Sequence, residues 1–137
     1  MADKIRKIDY FSMQTADRAG EGLRLLSALR DAGIGLLAFT GFPSGRRVQM
    51  DFVPEDSAAF IKAARKLGLA LSPKKSGFII EGKDRVGAIV NTLAKLAKAG
   101  ISVVAMDAVC AGKGRFGAIF WVKPAEVERV AKLLRAA

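Results

Sequence analysis

The feature that most constrains this chain is an internal repeat, in which the stretch beginning at Asp17 recurs at Asp84. The offset is 84 minus 17, or 67 residues, and it holds without a gap through the block. The residues of the first copy that recur unchanged are Asp17, Arg18, Gly20, Leu26, Leu29, Ala32, Gly33, Ile34 and Ala38, which match Asp84, Arg85, Gly87, Leu93, Leu96, Ala99, Gly100, Ile101 and Ala105. Because such a repeat fixes the architecture, the sequence predicts two similar units.

Each copy has the pattern of a turn, an amphipathic helix, a glycine stop and a strand. In the second copy, Asp84 is a residue type that caps helix N-termini, and the helix is predicted over residues 85–99. The predicted apolar face consists of Val86, Ile89, Val90, Leu93, Leu96 and Ala97. Gly100 fits the left-handed position that ends a helix, and the β-branched residues from Ile101 onward predict a strand.

The order of elements predicts an α+β fold. Both halves follow the order β-α-β-β-α, and a short strand at residues 69–72 completes the first half. Pro54 and Pro124 are placed at the start of the second helix of each half, a favoured position for proline. Two helices on one face of an antiparallel sheet give a ferredoxin-like layout, so we expect tandem βαββαβ units at residues 1–73 and 74–137. The second unit has no final strand of its own.

Composition narrows the classes of function. Apolar residues make up 51% of the 137 residues, which is typical of a globular chain. The N-terminus lacks the apolar core of a signal peptide and Cys110 is the single cysteine, so we expect a cytoplasmic protein that does not associate with membranes. The chain has no histidine, the usual general base and the commonest metal ligand. We therefore expect no enzymatic activity, no metal and no cofactor.

A formal net charge of +10 is compatible with an anionic partner. The basic residues are scattered, which favours an ordinary charged surface, although several lie at predicted loops. One alternative is an RNA-binding module of the RRM type, because residues 113–120 (K-G-R-F-G-A-I-F) are similar to its strand motif. The match has one extra residue before Phe116, which turns the following side chains to the other face of the strand. Nucleic acid is therefore not the expected partner.

The repeated block resembles the signature of the ACT domain family, small βαββαβ modules that bind amino acids and regulate metabolism. The resemblance rests on Asp17, Gly20, Gly33 and Ile34, and on Asp84, Gly87, Gly100 and Ile101. It covers nearly the whole chain as two copies with no catalytic domain attached, as in stand-alone tandem ACT proteins. The chain departs from the family pattern at Ala19 and Val86, where a proline is common, and in its basic charge.

The resemblance implies a regulatory protein that binds an amino acid where the turn and helix start of one unit face another unit. Carried over to this chain, the ligand-binding residues are Asp17, Arg18, Ala19 and Gly20, and Asp84, Arg85, Val86 and Gly87. Free N–H groups at a helix start attract a carboxylate, and an aspartate attracts an ammonium group, so each turn suits a zwitterion. Each aspartate could instead be only a helix cap, and each turn glycine could serve only close packing.

The missing strand leads to an expectation about assembly. Residues 77–81 would have a bare edge, which native proteins cover. We expect residues 69–72 to fold back and cover it, since the link that follows them is short. The second strand of each unit is then left with a free edge that carries apolar residues, namely Leu37, Phe39, Val104 and Met106. We expect these edges to pair between chains in a homodimer that acts on a regulated enzyme or regulator.

Overall fold

The computed structural model describes residues 3–137 and has the predicted α+β composition. Its strands are β1 Lys4–Ala16, β2 Leu36–Ser44, β3 Arg47–Pro54, β4 Lys75–Lys83, β5 Ala105–Gly112 and β6 Arg115–Trp121. Its helices are α1 Glu21–Asp31, α2 Ser57–Lys66, α3 Val90–Lys98 and α4 Val127–Leu133, and a single 3₁₀ turn, Pro124–Glu126, precedes α4. Within the described residues, no helix is both long enough and apolar enough to cross a bilayer.

The chain forms two compact units, of which one is continuous in sequence and the other consists of two separate segments. One unit is Asp9–Lys75, and the other combines residues 3–8 with Ser76–Ala137. We expected residues 1–73 and 74–137. The difference is that residues 3–8 group with the second half of the chain, and β1 passes from one unit to the other at Ile8.

The unit Asp9–Lys75 contains an antiparallel sheet in the order β2-β3-β1, together with α1 and α2. In its register Phe52 of β3 lies opposite Phe11 of β1 and Phe39 of β2. Both Phe11 and Phe52 also pack on Phe60 of α2, with ring centroids 5.2 and 5.7 Å apart. Burial of these rings together with Leu25 and Leu29 of α1 forms the core of this unit.

The second unit has the strand order β1-β4-β6-β5, and the part of β1 that belongs to this unit is residues 4–8. Phe78 of β4 lies opposite Phe120 of β6, and the two rings stack with centroids 5.2 Å apart. Leu96 of α3 and Val130 of α4 complete the buried centre of this core. Both helices are therefore held to the sheet by apolar burial, as the helical spacing of these residues predicts.

Residues 4–8 occupy the place of the strand that the second half of the sequence lacks. A Cβ at Gly82 would overlap the carboxylate of Asp3, and a Cβ at Gly77 would come within 3.3 Å of Ile8 Cδ1. Asp3 lies beside Gly82 near the end of β4, and Ile8 lies beside Gly77 near its start. Residues 4–8 are therefore antiparallel to β4. The expectation that residues 69–72 cover this edge is wrong. They form no strand, and Ser72 instead donates its N–H to the carbonyl of Ser12 at 2.8 Å.

The helices begin later than the sequence predicts. The helix expected over residues 85–99 begins at Val90, and the first helix begins at Glu21, because Gly87 and Gly20 have φ angles of +70° and +91°. A residue with positive φ cannot continue a right-handed helix. As a consequence Val86 and Val90, which were expected on the apolar face, are exposed.

Proline does not open α2, since Pro54 is the last residue of β3. The carboxylate of Asp56 caps α2 instead, accepting the N–H of Ala59 at 3.1 Å. At the other end of the two repeated helices, Gly33 and Gly100 have the left-handed φ angles that the sequence predicts.

Candidate functional site

The loop between β4 and α3 forms a turn that is set by Gly87. Residues 86–89 make the turn, and Gly87 has a φ of +70°, a conformation that favours glycine. A Cβ at this position would also lie 3.3 Å from Cγ2 of Val90. Gly87 therefore has a conformational reason for being glycine, which the sequence alone left open between close packing and room for a ligand.

This loop forms one wall of a cavity of about 270 Å³ within the second unit. The opposite wall comes from β5 and β6. The lining residues are Asp84, Arg85, Gly87, Ala88, Ile89, Ala108, Val109, Cys110 and Phe116. Three of the four positions predicted in this loop thus line one cavity, while Val86 is fully exposed outside it. We call this space the turn cavity.

Asp84 supplies the acidic group of the turn cavity. Its N–H donates to the carbonyl of Gly114 at 2.8 Å, and its Oδ1 accepts the thiol of Cys110 at 3.2 Å. The hydrogen bond from the thiol to Asp84 raises the pKa of Cys110, helped by partial loss of solvent and by the negative charge. The expectation that Asp84 caps the helix is wrong, because the N-cap position of α3 is Ile89 and no side chain caps it.

Arg85 is exposed and is held in place by a carboxylate that the sequence did not single out. Its two terminal nitrogens donate to the two oxygens of Asp3 at 3.0 and 3.1 Å. They also donate to the carbonyls of Lys83 and Ala88, at 2.9 and 3.2 Å. Arg85 therefore fixes the ends of the loop to each other and to residues 3–8, which gives the turn cavity a defined wall.

The corresponding loop of the other unit is fixed in a similar way by a different acid. Arg18 Nε donates to Glu21 Oε1 at 2.8 Å, and Glu21 Oε2 accepts Arg24 at 2.8 Å and the hydroxyl of Thr15 at 2.8 Å. Hydrogen bonds from Arg24, Thr15 and Arg18 lower the pKa of the buried Glu21 to about 2. Both arginines of the repeat thus bind a carboxylate of their own unit.

The four predicted positions of this first loop are all exposed. Asp17 and Arg18 lie in a bend, Ala19 and Gly20 in the turn that follows, and Gly20 occupies the N-cap position of α1 with no side-chain cap. The expectation that Asp17 caps the helix is therefore also wrong.

Sequence reasoning missed the β5 residues of the site and also Asp3. The repeated block that predicted the site runs from Asp84 to Ala105, so it gave no indication that Ala108 and Cys110 would face the loop. Asp3 lies 82 positions before Arg85, and no local pattern connects the two. Among the described residues, no group of three or more acidic or cysteine side chains is placed to hold a metal ion.

The aromatic residues of the RRM-like stretch, and Trp121 directly after it, are unavailable for stacking on bases. Phe116, Phe120 and Trp121 are 5%, 0% and 7% exposed. Phe120 belongs to the apolar core, and Phe116 contributes to both the core and the wall of the turn cavity. A base-stacking surface needs exposed rings, so this geometry disfavours RRM-type binding.

The strand orders and the helices define an α+β fold of the ferredoxin-like type. The chain is similar to the solved structure of protein BT0572 from Bacteroides thetaiotaomicron, with a TM-score of 0.80, 15% identity and coverage of 96% of this chain and 88% of that one.

Regulatory subunits of aspartate kinase have the same fold. The subunit from Thermus thermophilus matches with a TM-score of 0.61 and 16% identity, over 98% of this chain and 93% of its own. The subunit from Thermus flavus matches with a TM-score of 0.55 and 17% identity, over 98% and 94%. No protein-family model matches the sequence, and a search of the curated proteins gives no significant match. At these identities the likenesses show the fold.

Proposed function

We propose that this chain is a regulatory protein that binds a small molecule, an amino acid in the first instance, through two tandem ACT-like units. The observation that carries the proposal is the turn cavity, which is lined by Asp84, Arg85 and Gly87 of the repeated motif. The fold supports it, because solved structures that share the fold include regulatory subunits of aspartate kinase. On this proposal the chain itself is not an enzyme.

The chemistry of the turn cavity suits a small zwitterion with an apolar side chain. Its volume of about 270 Å³ lies at the small end of ligand pockets, which run from about 300 to 1,000 Å³. The carboxylate of Asp84 offers a partner for an ammonium group, while Arg85, whose terminal nitrogens already bind Asp3 and two carbonyls, contributes positive charge that favours a carboxylate. Ile89, Val109 and Phe116 give the remaining wall an apolar surface. Both loops are included in the proposal, with residues 17–20 as the second ligand-binding turn.

Replacing Ala108 by Leu tests the turn cavity directly. Ala108 lines the cavity from β5 and is exposed, so a larger side chain fills the space with little effect on the core. The twenty amino acids are first screened by thermal shift, and the best ligand is titrated by calorimetry. We expect Ala108→Leu to weaken binding at least tenfold, because the ligand and the new side chain compete for the same volume.

Ala105→Leu is the matched control, since Ala105 is also an exposed alanine of β5 but does not line the cavity. This variant should bind as the wild type does. The proposal fails if no amino acid stabilises the wild-type protein, or if the two variants bind equally well.

We further propose that the chain acts as a homodimer. β2 and β5 each lie at the end of the strand order of their own unit, so each has a free edge. Along or beside these edges, Leu37, Phe39 and Val104 are 39%, 36% and 61% exposed. Free edges with apolar side chains are templates for pairing with another chain.

A further inference from the structure

A second cavity lies within the same unit on the helix side, and it differs in chemistry from the turn cavity. Its volume is about 960 Å³, and α3, the end of α4 and residues 3–5 form its walls. The residues that line it are Asp3, Lys4, Ile5, Arg85, Asn91, Thr92, Lys95, Leu133, Leu134, Arg135 and Ala137. We call it the helix-side cavity.

Positive charge dominates the helix-side cavity. Four cationic side chains line it, those of Lys4, Arg85, Lys95 and Arg135, against Asp3 as the one acidic side chain among the described lining residues. Asp3 is already paired with Arg85 through two hydrogen bonds. Within the part of the chain that the structure describes, the other three cations form no ion pair. Their charge is therefore available to a ligand.

Thr92 supplies a polar group in the wall of this space. The residue is 6% exposed and lines the helix-side cavity, and its hydroxyl is not one of the buried polar atoms that lack a partner among the described residues. The hydroxyl is therefore open to the cavity, where it can donate a hydrogen bond to water or to a ligand. Thr92 and Lys95 are one helical turn apart on α3, so the hydroxyl and the ammonium group belong to the same face of the helix.

We propose that the helix-side cavity is a second ligand site, which binds a small molecule carrying at least two negative charges on phosphate groups. Three unpaired cations around one concavity match the several oxygens of a phosphate, and the Thr92 hydroxyl supplies a neutral donor. The volume falls within the range of ordinary small-molecule sites. The cations surround a cavity rather than forming an extended stripe, which favours a compact ligand over a nucleic-acid strand. Arg85 lines both cavities, but none of the three unpaired cations lines the turn cavity, so this proposal does not depend on the function proposed for the turn cavity.

Inorganic pyrophosphate is the probe, titrated into the full chain by calorimetry at about 0.15 M salt, where charges beyond about 8 Å are screened. We expect Lys95→Ala to weaken binding about tenfold, because it removes a charge-assisted hydrogen bond. Thr92→Val keeps the volume of the side chain and removes the hydroxyl, and it should weaken binding by a smaller factor. Lys98→Ala is the matched control, since Lys98 is also exposed in the last turn of α3 but does not line the cavity.

The outcomes separate the site from general surface charge. Equal losses for Lys95→Ala and Lys98→Ala, or no pyrophosphate binding by the wild type, would overturn the proposal. Sequence-dependent binding of a single-stranded RNA that is lost in Lys95→Ala would also overturn it in favour of nucleic acid. Ala108→Leu, which fills the turn cavity, should leave pyrophosphate binding unchanged. The experiments can therefore reject one proposed site without rejecting the other.

Discussion

Glu21 shows how a single carboxylate can determine the acid stability of a loop. Its carboxylate is buried and accepts hydrogen bonds from Thr15, Arg18 and Arg24. The pKa of about 2 in the folded protein lies below the value of about 4.3 for an unperturbed glutamate. Because the folded-state pKa is depressed, the stability that Glu21 contributes is present above about pH 4.3 and is lost as the pH falls through about 2.

We therefore predict that Glu21→Gln lowers the free energy of unfolding at pH 7 and reduces its loss between pH 4 and pH 2. Urea unfolding at several pH values measures both effects. Glu128→Gln is a suitable control, since the exposed carboxylate of Glu128 has one partner, Lys7, at 2.7 Å. Exposed pairs of this kind contribute about 0–1 kcal/mol, so the control should be close to the wild type. Equal behaviour of the two variants would show that Glu21 has no special role.

Cys110 is a second residue whose chemistry is set by one neighbour. The hydrogen bond to Asp84, together with partial desolvation and the charge of Asp84, raises the pKa of the thiol. The thiolate is the nucleophile, so we predict slow alkylation of Cys110 by iodoacetamide at pH 8. Asp84→Asn removes the charge and should increase the rate severalfold. Asp17→Asn makes the same change in the other loop and should leave the rate unchanged. A faster reaction in the wild type than in Asp84→Asn would contradict the geometry.

At the scale of elements, the repeat predicted the four helices and the strands that flank them, although the strand expected at residues 69–72 does not form. Gly20 and Gly87, like Gly33 and Gly100, have positive φ angles at matching positions of the two units. The angle was predicted at the helix ends, where glycine is the usual stop, but not at Gly20 and Gly87, which were expected inside the first helical turn. The starts of α1 and α3 were not predicted, because Asp17 and Asp84 have the residue type of a cap and lie too far before the helices to act as one.

The remaining errors come from pairings between residues far apart in sequence. Residues 4–8 lie beside β4, and nothing in either stretch specifies this partner, since both have the composition of a strand. The same holds for the wall of the turn cavity that β5 provides and for the pair Asp3 and Arg85. Local patterns predict which segments form strands, while the choice of neighbour depends on the packing of the whole unit.

At the scale of the whole molecule, the free edges of β2 and β5 raise the question of what covers them. An exposed strand edge is normally short, charged or covered, and neither edge here carries much charge. Leu37 on β2 and Val104 beside the start of β5 are both exposed apolar residues. Pairing of these edges with a second copy of the chain would bury the apolar side chains and satisfy the backbone groups together.

We predict that the wild-type protein sediments as a dimer at tens of micromolar, and that Leu37→Lys or Val104→Lys shifts it toward the monomer. A lysine on a paired edge meets the lysine of the partner copy or loses its hydration, and either effect weakens association. Leu23→Lys is the matched control. Leu23 is 73% exposed and belongs to the helix α1 rather than to an edge strand, so the same change in charge should leave the dimer intact. If the wild type is a monomer, or if all three lysine substitutions change the sedimentation equally, these edges are not the interface.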